Sequence, residues 1–183
     1  VTTLGKQGRI YPKAYLQGTS SSVSYFYYKG SGFFPSKVQY LEEDVSRYVR
    51  ENIKTCVVGI TDLDYSIMTK DESIEISTNF NNNDVTVSMT YPITVDFKSS
   101  KKTIYSFSTR IDVSLLPIYD LSRKIYQKTK EEPEWVDVDF LSDQKYDISL
   151  VKISDDTLVY EITDKIGLNN KPYVYRFAVK YSL

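Results

Sequence analysis

From Val85 to Phe97 the hydrophobic side chains fall on every second residue: Val85, Val87, Met89, Tyr91, Ile93, Val95 and Phe97. Thr86, Ser88, Thr90, Thr94 and Asp96 stand between them. A period of two over that length predicts a strand with one dry face and one wet face. The flanking runs repeat the habit. Ile74, Ile76, Thr78 and Phe80 alternate with polar residues, as do Tyr105, Phe107, Thr109, Ile111, Val113 and Leu115. Residues 73–115 therefore read as an antiparallel meander covered on one side. Asn81 to Asp84 is turn chemistry, and pairing Phe80 with Val85 sets Ile76 opposite Met89. At the second turn, Lys98 to Lys102, a slip would put Lys102 on the dry face, so the expected register pairs Phe97 with Thr103, Val95 with Tyr105 and Met89 with Ile111. Pro92 has no N–H and is expected to mark the limit of pairing with the first of these strands.

A helical period appears in two places. Val38, Leu41, Val45, Tyr48, Val49, Ile53 and Cys56 recur at three and four after Pro35-Ser36, predicting an amphipathic helix of about five turns that covers the meander. A second helix is expected from Pro117 to just before Pro133, with Ile118, Leu121, Ile125 and Thr129 as its narrow stripe. Strands are expected near Tyr65–Met68, over Val136–Phe140, over Tyr146–Ile153 with a bulge at Leu150-Val151, after the Asp155-Asp156 turn, and at Tyr173–Tyr181. Val23-Ser24-Tyr25-Phe26-Tyr27-Tyr28 is apolar on both faces, which means burial on both sides or an exposed, adhesive edge.

The order is helix then about four strands, twice over. The fold class is α+β: antiparallel meanders of about eight strands with two amphipathic helices packed on the sheet. It forms one domain over 1–183, with 23–115 and 116–183 as candidate halves.

Composition narrows the chemistry. The chain has no histidine and a single cysteine, which removes most zinc sites, histidine-activated nucleophiles and any internal disulfide. A net charge of −1 with both signs mixed gives nothing to steer nucleic acid or anionic membrane, and suits self-association better. No apolar run approaches the roughly 20 residues that span a bilayer. Asp137-x-Asp139 and Asp62-x-Asp64 lack the further oxygens of a calcium loop, and Gly30-Ser31-Gly32 lacks the lysine of a phosphate loop. No catalytic, metal-ligating or cofactor-binding residue is assigned. The 17 tyrosines are what remains, and tyrosine is enriched both at protein interfaces and on sugar-binding platforms. Val23, Tyr25, Phe26, Tyr27 and Tyr28 are the candidate interaction surface.

Several motifs give the chain a wider likeness. They are Leu4-Gly5-x-Gln7-Gly8-x-Ile10, the aromatic strand, the Pro35-Ser36 helix ending in Asn52-Ile53-x-x-Cys56, and Val85-x-Val87 through Tyr91-Pro92-Ile93. Trp135-Val136-Asp137, Thr157-Leu158-Val159-Tyr160-x-Ile162-Thr163-Asp164 and Phe177-Ala178-Val179-Lys180 complete the set. In these the chain resembles a family of uncharacterised, membrane-anchored proteins of small-genome (DPANN-type) archaea. The family's members carry a hydrophobic leader like that of type IV pilins, then a helix with another cysteine. The resemblance implies an extracytoplasmic domain at the cell surface, whose anchor is an N-terminal segment outside this sequence and whose Cys56 pairs with a cysteine upstream. Two functions follow as expectations: a non-enzymatic structural or interaction domain acting on other protein chains, or a module that binds carbohydrate or peptide on a tyrosine-rich sheet face.

Overall fold

The computed structural model describes residues 4, 8–12, 14–17, 22–58, 66–69, 73–97, 100–133, 135–165, 167 and 171–181. Among them the fold is α+β. The elements in order are β1 (Tyr15–Leu16), β2 (Val23–Tyr28), β3 (Ser31–Gly32), α1 (Gln39–Val58), β4 (Ser66–Thr69), β5 (Glu75–Phe80), β6 (Val85–Phe97), β7 (Ser100–Ile111), α2 (Leu115–Glu131), α3 (Val138–Ser142), β8 (Asp147–Ser154), β9 (Thr157–Asp164) and β10 (Tyr173–Lys180).

The meander is present and forms a sheet of its own around β6. β7 lines one edge of β6, while β5 and then β4 share the other. The first register is as the sequence predicts, with Phe80 opposite Val85 and Ile76 opposite Met89. Pro92 sits where the partner of β6 changes, since β5 pairs as far as Thr90 and β4 takes over from Ile93. The second register differs from expectation. Phe97 faces Ser100, Val95 faces Lys102 and Met89 faces Phe107. The cause is a bulge at Tyr91-Pro92, where two residues of β6 lie against Tyr105 alone. Paired residues share a face, so the bulge exchanges faces. Val85, Val87 and Met89 point to the α1 side, whereas Ile93 and Val95 come out on the other. Lys102 lies beside Val95 on this outer half of the ribbon and is exposed, so no buried face forbids it.

α1 packs on β5, with Leu41 and Val45 buried. Glu42 Oε1 accepts the Phe80 N–H at 2.8 Å, and Ser46 Oγ donates to Thr78 Oγ1 at 2.9 Å. The buried stripe is turned slightly from the predicted one. Asp44 and Val57 are buried, while Tyr48 and Cys56 are exposed. α2 starts two residues earlier than expected, which leaves Pro117 in its first turn, and buries Ile118, Leu121, Ile125 and Thr129 as predicted. The strand expected over Val136–Phe140 is instead the short helix α3. Asp137 caps it by accepting the Phe140 N–H at 2.9 Å, and Lys128 Nζ donates to the other oxygen of the same carboxylate at 2.7 Å.

The second sheet runs β1–β2–β10–β9–β8, with β3 also on β2. Its pairs are antiparallel except β2 with β10, which run parallel. β2 thus crosses from the N-terminal segment into the sheet of the C-terminal one. One core cluster joins α1, α2 and both sheets, through Val45, Phe80, Val85, Leu121, Ile162 and Phe177 among others. A row of aromatics threads it. Tyr160 stacks on Phe177 with ring centroids 5.0 Å apart, Phe177 on Phe26 at 4.6 Å, and Phe26 meets Phe34 edge-on at 5.0 Å.

Of the Leu4–Ile10 motif, Leu4 and Gly8 serve the fold. Leu4 is fully buried and its carbonyl accepts the Gly8 N–H at 2.7 Å. Gly8 has φ +72° and lies so close to β10 that a Cβ would stand 2.4 Å from the Arg176 carbonyl oxygen. Its own carbonyl accepts the Tyr175 hydroxyl at 2.6 Å.

Candidate interaction surface

The aromatic strand proposed as a contact surface is interior. β10 takes one edge of β2, β1 and β3 take the other, and Val23, Tyr25, Phe26 and Tyr27 are buried. Of the named residues only Tyr28 is exposed. Of the two readings open in sequence, burial holds: Phe26 and Tyr27 enter the main core, and Val23 and Tyr25 lie in a smaller cluster with Val159 and Ala178 of the neighbouring strands. Cys56 is free and exposed near the end of α1 rather than on its buried stripe.

The other tyrosines do not gather. Tyr91, Tyr119, Tyr146, Tyr160, Tyr173, Tyr175 and Tyr181 are buried. Among the described residues the exposed ones stand on β1 (Tyr15), β2 (Tyr28), α1 (Tyr40 and Tyr48) and β7 (Tyr105). Burial raises the pKa of Tyr173 and Tyr175 well above that of a free phenol. A tyrosine here is mostly a core aromatic whose hydroxyl finds a partner, as Tyr119 does by donating to the Pro35 carbonyl at 2.9 Å.

Of the two acidic pairs, the structure describes Asp137-x-Asp139. Asp137 is the α3 cap, its carboxyl held below the usual range by Lys128 and the Phe140 N–H. Asp62 and Asp64 lie outside the described residues, as does Lys98. Asp155 and Asp156 form the β8–β9 turn. Asp156 accepts from Ser154 Oγ at 2.7 Å and Thr157 Oγ1 at 2.9 Å, and Lys180 lies 3.2 Å away. The two hydroxyl bonds, then Lys180, bring the Asp156 pKa down to about 2.

The surface that sequence reading missed is β8. It ends the second sheet, and among the described residues no strand pairs with its outer edge. The ladder to β9 runs unbroken through Leu150 opposite Tyr160 and Val151 opposite Val159. The expected bulge lies instead between Lys152 and Ser154, beside the turn. Leu150 and Val151 are both apolar because each ends a row. On the core face, Leu150 continues Tyr160 and Phe177. On the other, Val151 continues Val159, Ala178 and Tyr25. Both rows run out uncovered, leaving Leu150 37% exposed, Val151 40% and Ile153 52%.

Its polar neighbours are satisfied. Ser149 donates to Glu161 at 3.3 Å, Glu161 holds Arg176 at 2.6 Å, Asp147 holds Lys165 at 2.9 Å, and Lys152 holds Asp155 at 2.7 Å. The contrast with β7, an edge strand of the other sheet, is one of charge. β7 carries Lys101, Lys102 and Arg110, the usual guard against edge pairing, whereas β8 has Lys152 alone in its central run. Two apolar rows that end at unpaired backbone form a surface on which another strand can add. The phase change at Leu150-Val151 was the signal for it. No protein-family model, no curated protein and no solved structure matches this chain.

Proposed function

We propose that this protein is a non-enzymatic interaction domain that works through contacts with other protein chains, made at the β8 edge. The observation that carries this reading is an eight-residue edge strand whose outer backbone pairs with no other strand among the described residues and whose Leu150, Val151 and Ile153 are exposed. Main-chain hydrogen bonds would supply affinity there, and the apolar side chains on its two faces would supply selectivity. The alternative, a tyrosine platform for carbohydrate or peptide, has less support, because the exposed tyrosines among the described residues are spread over four elements. An extracytoplasmic, cell-surface address is part of the proposal and rests on the resemblance to the archaeal family alone.

Purified from its native source, the protein should occur in assemblies that bury well above ~1,000 Å² per contact. In them the amides of 147–154 should be shielded from hydrogen exchange. A native monomer that turns over a substrate or binds a sugar would overturn the proposal.

A further inference from the structure

We draw no further inference here: the strongest candidate, the apolar patch of Ile93, Val95 and Ile104 on the solvent face of the outer β6–β7 ribbon, carries none because nothing in the structure shows what covers it.

Discussion

Arg9 closes on Asp44 across 35 positions of sequence, with nitrogen and oxygen 3.0 Å apart and the carboxylate almost wholly buried. Asp44 sits on the α1 side that faces the N-terminal segment, and its second oxygen takes Arg47 at 3.2 Å. Arg47 in turn lies over the Tyr11 ring, whose hydroxyl donates to Glu51. The N-terminal segment is pinned to α1 by these contacts.

Asp44→Ala should therefore destabilise the protein by about 3 kcal/mol, because it takes the counterion from Arg9, whose side chain is only 13% exposed. Arg47→Ala removes a half-exposed partner and should cost no more than about 1 kcal/mol. Urea denaturation of the two variants reads the difference; equal losses would show that Arg9 finds water when Asp44 is gone.

Phe177→Ala should cost about 3–5 kcal/mol, since Phe177 is fully buried and stacks on both Tyr160 and Phe26. Ile153→Ala, on the exposed β8 edge, should stay within roughly 0.5 kcal/mol. A comparable loss in both would contradict the position of Ile153 outside the packed core.

Gly8→Ala should destabilise by roughly 1–3 kcal/mol from its left-handed backbone alone, with the close Arg176 carbonyl adding to it. Gly30→Ala has a similar φ but open space around it. Gly8→Ala should therefore be the more damaging of the two when thermal midpoints are compared.

The pH dependence has a definite sign on the acid side. Asp156 has its folded pKa lowered to about 2, against about 3.9 for an unfolded aspartate. Its contribution is fully present above the unfolded value and is lost as pH falls from about 4 through about 2. Asp156→Asn should flatten the acid limb of the stability curve over that window. An unchanged limb would mean that the Ser154, Thr157 and Lys180 contacts do not favour the ionised form.

The strands and helices were largely legible, because periodicity reports which side of an element is dry. Phe80 opposite Val85, the α2 stripe and the role of Pro92 all follow from it. The β6–β7 register was not legible. It depends on a bulge, which changes the face of every later residue without changing the alternation in sequence. Asp137 and Phe140 misled for a related reason: five residues of alternation fit a strand, but the aspartate served as a helix cap. The β8 edge was half legible. Its change of phase was visible, and whether that meant a bulge or an uncovered strand depended on a neighbour that local pattern does not report. The placement of β2 between β1 and β10 is a long-range fact of the same kind.

Because β2 pairs in parallel with β10, residues near position 25 find their principal partner near position 178. The early strand is therefore made about 150 residues before the element that receives it. During synthesis it must wait, with Phe26 lacking the Phe177 ring it stacks on. Closing so long a loop is slow, and completion of this sheet is expected to be the late step of folding. A chain that ends before Tyr173 would have nowhere to seat its first aromatic strand, so loss of a short C-terminal piece should expose the N-terminal aromatics to a protease.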